Sequence, residues 1–349
     1  MTTPAAPALA RRYSHLIRFR ILCLALLAMA VVASFLFDLT TGPSLFPLEA
    51  LLGGLFAPSS LDVSQSVILW NVRLPQAVMA LLVGGSLGLA GAEMQTVLNN
   101  PLASPFTLGV SAAATLGAAM AIAFSIELSG ISATYTVPSL AFVFAAAAML
   151  LIQPLVRSYG ASTDTVVLFG IAILFTCEAL VWLIQFLADA DQLQQIVFWS
   201  MGSLTRTTWD KIAVVAVVLV VVLPWSMRQA WSLTTLRAGE DQARSVGIPV
   251  ERLRMLSLLR ASMLAAVAVS FVGTIGFVGL IGPHVARLAL GEDHRFYLPG
   301  SALAGAFILS LASIASKSII PGLVVPIGIV TALTGIPVFL ALVLARRRG

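Results

Sequence analysis

Of the 349 residues, 59% are hydrophobic and only 10% are charged, against about a quarter charged in soluble domains. A water-soluble fold with this composition would leave large apolar patches exposed, so the chain reads as an all-α integral membrane protein. The net charge is +5, but no basic run is interleaved with aromatic residues, and nucleic-acid binding has no support.

Arg11, Arg12, Arg18 and Arg20 lead into an apolar run over 19–38. The run is too long for the apolar part of a signal peptide, and no clean small-x-small cleavage site follows it. It reads as a first membrane helix kept in the mature protein, behind a cytoplasmic tail at 1–18. Further apolar runs occupy 69–98, 106–126, 133–156, 163–188, 209–228, 254–276, 280–290, 297–319 and 325–345. A crossing needs about 20 apolar residues, so 280–290 is too short to span alone. The pattern predicts about ten transmembrane helices in one membrane domain covering 1–349. Gly279-Leu-Ile-Gly-Pro283 reads as a helix break, and Asn99 to Pro105 is a similar one in the first half. A small-residue helix, a proline break and a further helix thus occur in each half. This predicts an internal duplication with inverted units, an arrangement common in transporters.

With the N-terminus in the cytoplasm, 16 of the 20 Lys and Arg residues fall inside, and only Arg73, Arg206, Lys211 and Lys317 fall outside. Asp38, Glu49, Asp62, Glu127, Asp189, Asp191 and Asp210 also fall outside, and the basic C-terminus ends inside. The longest basic cytoplasmic stretch is 229–253. Within it Glu240 and Arg244 stand four apart in the favourable order on a helix, and Gly247 with Pro249 gives a stop. This predicts a short surface helix suited to docking an energy source.

The chain has no GxxxxGK[ST] phosphate loop and no HExxH, so catalytic, metal-binding and cofactor-binding residues are not expected. Cys23 and Cys177 lie in separate apolar runs and read as small buried hydrophobes. His15 falls in the basic tail and His294 in a short cytoplasmic loop. Only His284, after the break, is placed to matter, and it reads as packing a turn. Glu178, in mid-helix, is expected to face a pathway or a subunit interface, because a carboxylate in hydrocarbon costs about 2.5–3.5 kcal/mol. Glu93 lies nearer the cytoplasmic end and is expected to reach the interface. Without a matching intramembrane Lys or Arg, two acids make a poor proton relay, which counts against an ion-coupled carrier.

Several ordered motifs then become specific. They are Arg73-Leu-Pro75, Leu82-Val-Gly-Gly-Ser-Leu-Gly-Leu-Ala-Gly-Ala92, Gln95, Asn100-Pro-Leu-Ala-Ser-Pro105, Gly276-Phe-Val-Gly-Leu-Ile-Gly-Pro-His284, Asp293-His-Arg295 and Pro326-Ile-Gly-Ile-Val-Thr-Ala-Leu-Thr-Gly-Ile-Pro-Val-Phe339. The chain resembles the permease family of bacterial iron–siderophore, haem and cobalamin importers over roughly 67–345. The resemblance implies a type II ATP-binding-cassette importer permease with pseudo-symmetric halves, in the bacterial cytoplasmic membrane with both termini inside. Its implied partners are a second permease subunit, two ATPase subunits and a periplasmic binding protein. It implies a cytoplasmic gate at Asn100, Leu102 and Thr163. It implies ATPase coupling through Leu236, Gly239, Glu240, Ala243, Arg244, Gly247 and Pro249, and binding-protein docking at Arg73 and Lys317. Ferric siderophore is the expected cargo, with haem or cobalamin as the alternative. An ion-coupled carrier and a membrane enzyme remain the rival classes. The chain departs from the family pattern at Gln76, where a second docking cation is common, and in the Ala312–Lys317 stretch, which lacks an Asp.

Overall fold

The computed structural model describes residues 6–42, 51, 53–54, 57, 61–130, 132–159 and 163–346; for 6–10, 133, 153–159, 163–164 and 341–346 it describes the backbone alone. Glu49, Arg347 and Arg348 lie outside the described residues. The helices in chain order are α1 (Ala6–Thr40), α2 (Val63–Val97), α3 (Val110–Ala123), α4 (Ala133–Tyr159), α5 (Thr163–Leu187), α6 (Ala190–Ser200), α7 (Trp209–Arg228), α8 (Ala230–Ala238), α9 (Glu240–Ser245), α10 (Val250–Val272), α11 (Val278–Leu290), α12 (His294–Ser318) and α13 (Ile327–Arg346). Seven are long and apolar enough to cross a membrane, and α3, α11 and α13 add three shorter apolar helices, which together match the ten runs read from the sequence. Among the described residues there is no strand, only an isolated bridge between Ile320 and Leu323.

Helix α1 begins at Ala6, so most of the segment read as a tail is helical. Its residues from Ala8 to Arg20 contain no glycine or proline to stop the ladder. In α2, the turn Ile68–Arg73 is π-helical and ends two residues before Pro75, whose missing N–H leaves the ladder one donor short.

Helix α2 is the centre of the bundle, packed on α10, α11 and α12. Its composition permits this. A Cβ added at Gly84 would lie 2.4 Å from the Gly305 carbonyl oxygen, one at Gly88 2.2 Å from that of Ser301, and one at Gly91 1.7 Å from that of Gly279. Side chains at these positions would separate the backbones, so the small residues set the interhelical distance. At the other extreme, the most apolar window of α5 is only 11% buried, against 83% for α2.

The two half-length helices follow irregular segments, 98–109 before α3 and 273–277 before α11. The second break lies earlier than the sequence suggested. Gly273 and Phe277 have left-handed φ of 78° and 64°, whereas Gly279–Pro283 is already helical. Pro283 is accommodated because the carbonyl that its N–H would have reached, that of Gly279, is packed against the bare backbone of Gly91. The breaks meet inside the protein, where a Cβ on Gly279 would stand 3.4 Å from Pro105 Cδ. Non-helical backbone at membrane depth is tolerated in such protein-packed surroundings. Val97 at the end of α2 accepts a hydrogen bond from Arg254 near the start of α10, while Val272 at the end of α10 bonds Ser203 at the opposite end of the bundle. The two units therefore run in opposite directions.

Glu93 does not reach an interface. It is fully buried, and Arg260 of α10 donates Nε to both its carboxylate oxygens at 3.0 and 3.1 Å. The same guanidinium bonds Gln229 Oε1 at 2.8 Å and Ser257 Oγ at 2.9 Å. The charge count had placed Arg260 among the cytoplasmic cations, but its place on α10 turns it into the bundle.

Removing one member leaves the other buried and alone, a loss of about 3–5 kcal/mol. Glu93→Met and Arg260→Met should each lower the stability of the detergent-solubilised protein by that order, and the double variant should recover most of it. A double variant no more stable than the worse single would dismiss the pair as the cause.

Candidate functional site

The 229–253 stretch folds as two short helices. Gly239, at φ 149°, separates α8 from α9 in a conformation that suits glycine. Glu240 and Asp241 occupy the first turn of α9, where negative charge suits the helix dipole. Arg244 bonds Glu240 at 2.8 Å, the pairing their spacing predicts, and also bonds Glu251. Arg254 reaches the second oxygen of Glu240 at 3.1 Å. The hydrogen bond from Arg244 is the largest of the effects that hold the Glu240 carboxyl below its ordinary range. Gly247 takes φ 81° and Pro249 precedes α10.

This arrangement divides the residues singled out above. Leu236 and Ala243 are buried and fasten the helices to the bundle, Gly239 and Glu240 are half-buried, and Arg244, Gly247 and Pro249 are exposed. Trp231 on α8 and Val246, directly after α9, are exposed at 73% and 61%. The result is a firmly seated, mixed polar and apolar surface at one end of the bundle.

The segment expected to form a gate lies beside it. Asn100 Oδ1 accepts the Leu102 N–H at 2.9 Å and shapes the turn, and Leu102 is exposed. The Thr163 side chain lies outside the described residues; its backbone begins α5. Arg237 of α8 donates to Asn99 Oδ1 and pairs with Glu292 at 2.9 Å. Sequence reading missed this link, because Asn99 and Arg237 are 138 residues apart.

His294 was likewise underread. It is 1% exposed, and its ring nitrogens meet Thr96 Oγ1 at 2.7 Å and Thr234 Oγ1 at 3.2 Å. It joins the end of α2 and the middle of α8 to the start of α12. The Asp293-His-Arg295 motif was the available signal. His284, the histidine preferred from sequence, is half-buried on α11.

At the opposite end the sequence expectation is corrected. Arg73 and Lys317 are not surface cations, being 4% and 6% exposed. Lys317 Nζ lies 2.9 Å from Asp38 Oδ1, and Ser313 donates to the same carboxylate at 3.0 and 3.1 Å. Arg73 donates to the Leu39 carbonyl at 2.7 Å, near the end of α1. The spacing of α1, α2 and α12 brings Asp38 onto Lys317 and the Leu39 carbonyl onto Arg73, the two cations that sequence had offered for docking.

Glu178 is half-buried on α5, whose outer face exposes Phe175, Trp182 and Phe186. Among the described residues it has no hydrogen-bonding or charged partner.

The fold and the seated surface define a polytopic membrane transport subunit with no nucleotide-binding motif of its own. The FecCD transport family model matches residues 27–345. The hemin transport system permease protein HmuU of Yersinia pestis is 35% identical over 79% of this chain and 83% of its own length. The vitamin B12 import system permease protein BtuC of Citrobacter koseri is 37% identical over 81% and 84%. A solved inward-facing conformation of a metal-chelate type ABC transporter superposes with a TM-score of 0.79 at 30% identity, covering 93% of this chain and 99% of that one. The chain belongs to the FecCD transport family, as a membrane permease of ABC importers.

Two outcomes are expected. Lys317→Met should destabilise the protein by about 3–5 kcal/mol, and Asp38→Asn should restore most of that in the double variant. Equal stability of Lys317→Met and the parent in detergent melts would show that the pair contributes nothing. Arg237→Ala should lower transport several-fold while the ATPase still co-purifies, because the 98–109 segment is then released from α8. Unaltered transport would remove that link from the coupling route.

Proposed function

We propose that the chain is the permease subunit of an ATP-driven importer of a metal chelate, with ferric siderophore as its cargo. The observation that carries this reading is the seated α8–α9 surface, joined directly to the 98–109 segment, in a chain with no phosphate-binding loop of its own. A separate ATPase would dock on Arg244, Gly247 and Pro249. It would displace α8, and through Arg237 and His294 would act on the gate around Asn100, Leu102 and Thr163. The cargo would cross unmodified between two permease subunits by alternating access.

The exposed apolar face of α5 supports a second permease subunit as its cover, and Glu178 would then face that interface or the pathway. The charge distribution supports the cytoplasmic membrane of a bacterium, with both termini and the α8–α9 end inside and the α6 end facing a periplasmic binding protein. Haem or cobalamin is the second reading, favoured by relatives named for hemin and vitamin B12 transport.

The test is uptake into proteoliposomes holding the permease, its ATPase and its binding protein, with radiolabelled ferric siderophore, haemin and cyanocobalamin. Uptake should require ATP and the ATPase, and the cargo should be recovered intact. Transport by the permease alone would sink the importer reading in favour of an ion-coupled carrier. Glu178→Ser should change the uptake rate or its coupling to ATP hydrolysis.

A further inference from the structure

Of the strongly buried cations, Arg260 and Lys317 each hold a carboxylate at 3.0 and 2.9 Å, and Arg73 reaches the Leu39 carbonyl beside Asp38. Lys211 differs in having a cation as its charged neighbour. It sits in the first turn of α7, is 6% exposed, and gives one of its N–H groups to the Arg206 carbonyl at 2.7 Å. Among the described residues no carboxylate lies within ion-pair distance of Lys211 or Arg206. Asp210, next in sequence, accepts from the Tyr135 hydroxyl at 3.4 Å instead. The charged group that acts most on Lys211 is Arg206 itself, a like charge.

Both cations line one cavity of about 630 Å³ at the α6 end of the bundle. Gln194, Gln195 and Phe198 of α6 form one wall, and Phe271 from the last turn of α10 forms another. Two neighbouring positive charges in a partly desolvated wall repel each other, and an anion between them removes the repulsion. The Arg206 guanidinium offers a planar fork that suits a carboxylate, and the glutamine amides add neutral donors. Phe198 and Phe271 add apolar faces of the kind that hold an organic body. The volume is that of a small-molecule site.

We propose that this cavity binds an organic anion, its carboxylates on Arg206 and Lys211 and its apolar body against Phe198 and Phe271. Resting on the importer reading, it places carboxylate-bearing chelates in the cargo class and makes the cavity their first station in the permease. A binding protein's acidic side chain is the poorer occupant, because Lys211 lies below the surface at which such a chain would meet Arg206.

The test is equilibrium binding to the permease–ATPase complex in phosphatidylcholine nanodiscs without nucleotide, followed by quenching of tryptophan fluorescence. The probes are haemin, ferric citrate and haemin dimethyl ester, which keeps ring and iron but lacks free carboxylates. At least one acid should bind, the ester should bind at least about ten-fold more weakly than haemin if haemin is bound, and Arg206→Gln and Lys211→Met should each weaken the acid about ten-fold. Lys211→Arg should retain it. Arg206 is exposed, so its variant keeps the test valid should Lys211→Met fail to fold. Failure of the parent to bind either acid, equal binding of ester and haemin, or unchanged affinity in Arg206→Gln would each overturn the proposal. So would two other results: competition by phosphatidylglycerol nanodiscs that depends on Arg206 and Lys211, which marks a lipid headgroup site, or loss of binding-protein association alone in the variants. ATP-driven uptake of a chelate without carboxylates, alongside no binding of either acid, would leave the importer reading standing and remove only this inference.

Discussion

A charge carried into a low-dielectric bundle must find its opposite there, because the desolvation penalty of an uncompensated ion amounts to several kcal/mol, comparable to the whole stability of a typical domain. Two ion pairs meet this requirement here, and they sit toward opposite ends of the bundle. Glu93–Arg260 joins α2 to α10 toward the α8 end, and Asp38–Lys317 joins α1 to α12 at the far end. Neither pair need add stability relative to well-packed apolar residues. Each does restrict the register, since a shift of one turn along either helix would strand a charge. The architecture therefore depends on partners that are 167 and 279 residues apart.

Between those two points the helices are held by shape. The carbonyls of Gly305, Ser301 and Gly279 lie where Cβ atoms on Gly84, Gly88 and Gly91 would be, so α2 meets α12 and α11 backbone to backbone. Lipid supplies no hydrophobic drive for helices to associate, and close packing of this kind takes over that role. The irregular segment 98–109 also lies against the start of α11, with Pro105 Cδ 3.4 Å from the Cβ position of Gly279. These glycines thus set the helix spacing.

Hydropathy made the ten apolar helices legible, since each carries its signal within its own residues. The short helix in the 229–253 stretch was legible for the same reason: Glu240 and Arg244 are neighbours on one turn, and Gly247 with Pro249 is local punctuation. What failed was pairing at a distance. Arg260 was counted as a cytoplasmic cation, and Arg73 and Lys317 as outward-facing ones, because one sequence does not show that Glu93, the Leu39 carbonyl and Asp38 lie against them. The second break was assigned to Pro283, although a proline whose orphaned carbonyl is packed by a facing glycine does not end a helix. Helix α6 was overlooked despite a local signal. Asp189 and Gln192 form a capping box, with Asp189 accepting the Gln192 N–H at 2.8 Å.

The charge requirement also explains how the two ends differ. At the α8 end nearly every polar contact is satisfied across elements: Arg237 spans Asn99 and Glu292, His294 spans Thr96 and Thr234, and Arg287 reaches Gln95 and Tyr297 at 3.1 and 2.9 Å. Such cross-linking makes α8, the end of α2 and the start of α12 move together, which suits a region through which force enters. At the α6 end Arg206 and Lys211 share a wall without a counter-charge, so the protein's own residues leave that site incomplete. A transport protein gains from this asymmetry. A pathway whose charges were all internally paired would have nothing left to offer an anionic cargo, whereas a coupling region with unpaired charges would yield locally instead of transmitting a displacement. Neither Glu93–Arg260 nor Asp38–Lys317 lines the cavity that remains open to a ligand.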